Sequence, residues 1–173
     1  MAWEFAAPVW FAYTILFLVA GQRLGELVIA NRNTAALLAR GAREIGASHY
    51  PVIVGLHVLW LAALAWWVAV HSPAVNLPLL GVFAGLQAAR LWVLWALGPF
   101  WTTRIITLPG APLVRRGPYR FVRHPNYVVV ALEIAVLPLV FGAWEIAMIF
   151  SILNAAVLYV RISAENRALA ERP

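Results

Sequence analysis

The chain contains no cysteine, no lysine and no aspartate. Without cysteine there is no disulfide framework, no thiolate metal site and no catalytic thiol. Charge is also scarce. Of 173 residues, 12% are charged, about half the roughly 25% of an average soluble domain. Mean hydropathy is +0.82, which excludes a disordered chain and argues against an ordinary soluble domain. His49, His57 and His124 are scattered, and no His-x-x-x-His or Glu-x-x-His spacing suits a metal. No internal repeat or low-complexity tract is evident. The length fits one compact domain, 1–173, and is too short for a transporter of two repeated halves. Met-Ala-Trp-Glu-Phe at the start has no positive n-region and does not read as a cleaved signal peptide.

Long apolar runs are abundant. Five segments are long enough to consider as membrane helices, at 5–22, 51–70, 77–98, 126–142 and 145–161. The expected fold class is all-α, a polytopic membrane protein whose last two spans form a hairpin across Gly142, Ala143 and Trp144. All thirteen basic residues are arginine. Twelve of them flank the spans on one side: Arg23 to Arg43, Arg104 to Arg123, and Arg161 to Arg172. The positive-inside rule then places the N-terminus outside and the C-terminus in the cytoplasm. A net charge of +6 would suit a nucleic-acid binder, but arginines set between apolar runs fit a membrane surface better, and no nucleic-acid partner is expected.

Two cytoplasmic loops, 31–50 and 99–125, are left to carry chemistry. In the first, Asn33-Thr34 reads as the cap of an interfacial helix stopped by Gly41. The second holds prolines at 99, 109, 112, 118 and 125 and is not one helix. Trp101 opens it. Glu133 sits seven residues into the fourth span, where a carboxylate costs about 2.5–3.5 kcal/mol, and must face protein or a polar cavity. Asn126 shares its face, as Gln87 shares one with Arg90. Asn154, Leu158, Arg161 and Glu165 form a stripe in which Arg161 and Glu165 can pair as i,i+4, worth about 0.3–0.5 kcal/mol if exposed; alone it reads as a solvated helix end. His57 is expected to pack in its helix or bond a neighbouring helix, and His71 to be solvated.

Residues 113–127 read Leu-Val-Arg-Arg-Gly-Pro-Tyr-Arg-Phe-Val-Arg-His-Pro-Asn-Tyr. A Gly-Pro turn leads through a basic segment to Pro125, which suits a first helical turn. The positive end of that helix, with Arg123 and His124, suits a carboxylate or phosphate at the membrane surface.

Gly117-Pro118-Tyr119, Arg123-His124-Pro125-Asn126-Tyr127, Arg161 and Glu165 together resemble the isoprenylcysteine carboxyl methyltransferase family and the related membrane phospholipid methyltransferases. Arg23-Leu24-Gly25-Glu26, Asn31-Arg32-Asn33, Gly41-Ala42-Arg43-Glu44 and His49-Tyr50-Pro51 resemble a bacterial branch linked to type III polyketide synthases. The resemblance implies S-adenosylmethionine on the cytoplasmic side of a bacterial inner membrane, and a lipidic acceptor, an alkylpyrone or alkylresorcinol, entering from the bilayer. It implies that Gly117, Tyr119, His124, Pro125, Tyr127, Arg161 and Glu165 form the cofactor region. Glu165 would meet the cofactor's amino group, His124 its carboxylate, and Tyr127 and Trp101 its adenine or sulfonium. Glu133 is expected to orient the acceptor or take its proton, and Arg120 or Arg123 to hold an anionic acceptor. Val129 and Ala164 depart from the glycine and glutamate of many members. Other readings are a prenylcysteine carboxyl or phospholipid N-methyltransferase, a sterol reductase using NADPH, and a non-enzymatic membrane scaffold.

Overall fold

The computed structural model describes residues 4–5 and 7–169. Arg172, used in the topology argument, lies outside the described residues, as do residues 1–3 of the N-terminal reading. In chain order the elements are β1 (Glu4–Phe5), α1 (Val9–Ala39), β2 (Arg43–Ile45), α2 (Tyr50–His71), β3 (Val75–Asn76), α3 (Leu77–Leu97), β4 (Ile105–Thr107), α4 (Pro125–Val140) and α5 (Trp144–Leu169). The fold is mainly helical. Four helices, α1, α2, α3 and α5, are long and apolar enough to cross a membrane. They carry many lipid-type side chains on their outer faces, including Phe17, Leu18, Trp66 and Trp95.

The fifth expected span is shorter than the others. α4 has 16 residues, about 24 Å at the helical rise, against a hydrocarbon core of about 30 Å. Its turn into α5 is tucked into the protein, with Phe141 and Ala143 fully buried beside Val75 and Leu137. Trp67 Nε1 donates to the Phe141 carbonyl at 3.0 Å, tying that tip to α2. The expected hairpin is present, but α4 lies embedded among its neighbours: nine of its residues are buried, from Pro125 to Val140.

The separate interfacial helix expected from Asn33-Thr34 does not form. α1 runs unbroken for 31 residues through both. Inside a continuous helix the Asn33 amide N–H is already served, so its side chain is free for tertiary use. Asn33 Nδ2 donates to the carbonyls of Gly98 (3.1 Å) and Trp101 (2.9 Å). The stop itself falls where the glycine predicts. Gly41 has φ +89°, and its amide bonds Leu38 O while that of Ala42 bonds Leu37 O, the paired closure of a Schellman motif.

Two short antiparallel pairings depart from an all-α reading. β1 pairs with β3, and β2 with β4, in the register Arg43 to Thr107 and Ile45 to Ile105. The second pairing crosslinks the two arginine-rich connections. It also holds the chain after α3 against the C-terminal part of α5, where Ile105 packs on Ala164 and Ala168.

Candidate active site

Three helices place ionised side chains at the same depth. From α1 come Arg23 and Glu26, from α3 Arg90, and from α4 Glu133. Glu133 is 1% exposed, and Glu26 and Arg90 are each 5% exposed. Glu133 accepts from Arg23 Nη2 (2.7 Å), Gln87 Nε2 (2.8 Å) and Arg90 Nη1 (3.1 Å). Glu26 accepts from Arg90 Nε (2.6 Å) and Nη2, Gln22 Nε2 (3.0 Å) and Arg23 Nη1 (3.2 Å). Two carboxylates and two guanidiniums balance to zero. A charge buried in an apolar bundle is tolerable only with partners of this kind.

A second cluster gathers at the end of the bundle that carries the arginine-rich connections. Pro125 opens α4 at its first position, as the sequence implies. Two residues in, the Tyr127 hydroxyl donates to Glu165 Oε2 at 2.5 Å. Arg161 Nε reaches the same hydroxyl at 3.4 Å, and its Nη2 donates to the Thr103 carbonyl at 2.8 Å. The Arg161–Glu165 pair that the spacing allows is not made directly: the two side chains meet through Tyr127. Nor is this a solvated helix end, since Arg161 is 6% exposed. His124 Nε2 lies 2.9 Å from Asn166 Oδ1, and its Nδ1 is 3.9 Å from Glu165 Oε2. The amides of Tyr127 and Val128 both bond the His124 carbonyl, and proline has no N–H. This helix start consequently offers fewer free donors than its sequence implies. Burial pushes the Tyr119 phenol well above its ordinary value, and the Glu165 carboxylate adds to the shift.

A cavity of about 720 Å³ joins the two clusters. It lies within the 300–1,000 Å³ range usual for small-molecule sites. Trp101, Tyr119, Arg123, His124, Tyr127, Arg161 and Glu165 line it. So do Arg23, Glu26, His57 and Arg90 from the buried network. Leu24 and Leu27 of α1 and Val54, Val58 and Leu61 of α2 add an apolar wall. Trp101 is buried with the Arg90 guanidinium 5.9 Å from its ring centre. Tyr50 Oη is 3.1 Å from Thr103 Oγ1, and Arg104 pairs with Glu44 at 3.0 Å.

Four of the sequence-selected residues stand away from this cavity. Arg120 is exposed on the turn Gly117–Arg120. Pro125 is buried at the start of α4. Glu133 is sealed behind Arg23, Arg90 and Gln87. Gly117 packs on α3: a Cβ there would lie 2.9 Å from Ala96 Cβ, and its φ is +57°. Val129 and Ala164 are both buried in apolar packing. Arg23, Glu26, Tyr50, His57 and Thr103 line the cavity, and the sequence alone gives none of them a site role. For the first two a signal is there: opposite charges three apart inside an apolar run.

A family model described as the isoprenylcysteine carboxyl methyltransferase family matches residues 77–171, which contain α3, both halves of the hairpin and every member of the Tyr127 cluster. The chain belongs to this family. Two relatives extend the likeness over nearly the whole length. The uncharacterized protein YpbQ of Bacillus subtilis (strain 168) is 40% identical over 174 residues, covering 94% of this chain and 96% of its own. An uncharacterized protein of Haemophilus influenzae (strain ATCC 51907 / DSM 11121 / KW20 / Rd) is 27% identical over 156 residues, covering 86% of this chain and 88% of its own. No solved structure gives a significant match. Members of the isoprenylcysteine carboxyl methyltransferase family are methyltransferases, and the apolar helices make this member an integral membrane protein.

Proposed function

We propose that this protein is an S-adenosylmethionine-dependent O-methyltransferase acting on a membrane-partitioned acceptor of the alkylpyrone or alkylresorcinol class. One observation carries the reading. A single cavity is lined by the polar, hydrogen-bonded Tyr127 cluster, by the charged groups Arg23, Glu26 and Arg90, and by apolar side chains of α1 and α2. That is the combination a polar methyl donor and a lipid-tailed acceptor require.

The residues fit the donor. Trp101 Nε1 and Asn126 Oδ1 line the cavity, are buried, and have no hydrogen-bond partner among the described residues. A buried donor and acceptor left so are expected to be satisfied by a ligand or water. Glu165 offers a carboxylate to an amino group. Arg161 and His124 offer donors to a carboxylate, and the rings of Tyr127 and Trp101 offer faces to an adenine or a cation. When bound, the cofactor supplies an electrophilic methyl group on a sulfonium.

The remaining chemistry belongs to the chain. Tyr127 holds Glu165 and Arg161 in register. Arg23, whose Nε has no hydrogen-bond partner among the described residues, offers a donor to an acceptor oxygen, and Arg123, which also lines the cavity, holds an anionic one. Glu133 is a positioning residue, acting through the two arginines it anchors. The apolar wall excludes water, and positioning of this kind contributes about 7–11 kcal/mol in favourable intramolecular models. The polar end faces the cytoplasm of a bacterial inner membrane, with the N-terminus outside, as the arginine distribution implies. A type III polyketide synthase is the functional partner that would supply such acceptors.

Transfer of labelled methyl by the purified protein in detergent tests the reading. Alkylpyrones, alkylresorcinols, a prenylcysteine and phosphatidylethanolamine are offered in parallel. Label on a pyrone or resorcinol oxygen is the expected result. Label solely on prenylcysteine or lipid amine keeps the methyltransferase and discards the acceptor class.

A further inference from the structure

A hydroxyl acceptor with a phenol-like pKa near 10 needs a base at neutral pH, whereas an acidic pyrone enol is already an anion. The carboxylates of the site are committed elsewhere. Glu26 is held by Gln22, Arg23 and Arg90, Glu165 accepts from Tyr127, and Glu133 does not reach the cavity.

His57, on α2, lines the cavity beside the apolar wall. Its Nδ1 is 2.8 Å from the Ile53 carbonyl oxygen. A carbonyl can only accept, so Nδ1 carries the proton and Nε2 keeps the lone pair. Among the described residues Nε2 has no hydrogen-bond partner; the ring's other contact is an edge-on approach to Trp60 at 6.4 Å. The charged groups acting on the ring are Arg23 and Glu26 from α1 and Arg90 from α3. Around it stand Leu24, Val54, Val58 and Leu61, surroundings suited to a lipid tail. A neutral imidazole is thus fixed in one tautomer by its own helix, with its basic nitrogen free at the acceptor end.

We propose that His57 is the general base for un-ionised hydroxyl acceptors, an inference that rests on the O-methyltransferase reading above. Nε2 takes the hydroxyl proton as the oxygen bonds the methyl carbon. The carbon–sulfur bond of the sulfonium donor breaks, and the electron pair leaves on the thioether. The imidazolium then returns its proton to water. His57 therefore divides acceptors by acidity, being required for a resorcinol and dispensable for the deprotonation of a pyrone enol.

The test compares wild type with His57→Gln on a 5-alkylresorcinol and an alkylpyrone. The expected loss is about 10²–10⁴-fold for the resorcinol and less than about tenfold for the pyrone. Equal losses on both acceptors, or none, overturn the proposal. A second readout needs neither the variant nor turnover. In protein labelled with ¹⁵N-histidine, His57 should show a protonated Nδ1 and a bare Nε2, and the resorcinol alone should shift the Nε2 resonance. A protonated Nε2, or one that stays fixed when the resorcinol binds, overturns it. If wild type methylates no hydroxyl acceptor, the functional reading falls and the role of His57 with it. If wild type methylates the resorcinol and His57→Gln matches it, the role of His57 alone falls.

Discussion

Glu133→Gln is a direct probe of the buried charge cluster. The substitution keeps shape and removes one negative charge from a set of two carboxylates and two guanidiniums. Arg23 and Arg90 each keep Glu26 as a partner, so neither is stripped bare, and the cost should sit toward the lower end of the 3–5 kcal/mol expected for breaking a buried pair, about 3 kcal/mol. Arg23→Gln should cost a similar amount, by leaving the cluster one negative charge in excess. The double variant restores neutrality and leaves the Arg90–Glu26 pair intact. Its loss should fall short of the sum of the singles by about 1–3 kcal/mol. Reversible unfolding in mixed dodecylmaltoside–SDS micelles, followed by tryptophan fluorescence, gives all three values. A single Glu133→Gln loss under about 1 kcal/mol, or singles that add within about 0.5 kcal/mol, would refute the reasoning that charge balance holds α1, α3 and α4 together.

Gly117→Ala should destabilise by about 2–5 kcal/mol, combining about 1–2 for the left-handed backbone and about 1–3 for the crowding of Ala96 and Trp92; the same unfolding assay reads it. Tyr127→Phe removes the hydroxyl bridging Glu165 and Arg161. With a hydrogen bond to a charged group worth about 1.5–3 kcal/mol, S-adenosylmethionine should bind about 10–100-fold more weakly by equilibrium dialysis, with the helical circular dichroism preserved. Tyr119 has its phenol pKa raised by burial and by Glu165. A raised folded pKa means the folded state keeps the proton longer, so the contribution is complete below pH 10 and declines as pH rises above it. Wild-type stability should therefore fall more steeply above pH 10 than that of Tyr119→Phe, in parallel unfolding series.

Hydropathy places α2 and α3 within a residue or two, because both are apolar runs bounded by prolines or polar turns. It places the first helix at 5–22, whereas α1 continues to Ala39. Beyond residue 22 the apolar run is interrupted by Arg23, Glu26, Asn31, Arg32, Asn33 and Thr34, so a membrane-helix pattern does not reveal the extension. The Arg-His-Pro-Asn-Tyr run is legible as a site because its residues lie close together and open a helix. Gln87, Arg90 and Glu133 are legible as polar residues needing partners, and they find one another. Glu26 carries the fainter signal of a charge three residues from Arg23, and its pairing with Arg90 closes across 64 residues of sequence. Residue type alone makes His57 a packing residue; the hydrogen bond to Ile53 and the cavity beside it give it a chemical orientation.

In the proposed methyltransferase the cofactor lies against Tyr127, Glu165 and Arg161. Ultraviolet crosslinking of radiolabelled S-adenosylmethionine to the purified protein, with the labelled peptide mapped by mass spectrometry, tests it most directly. Label is expected in the segments containing Trp101, Tyr119 or Tyr127, abolished by excess S-adenosylhomocysteine. Label confined to other segments, or labelling that the competitor leaves unchanged, would contradict it.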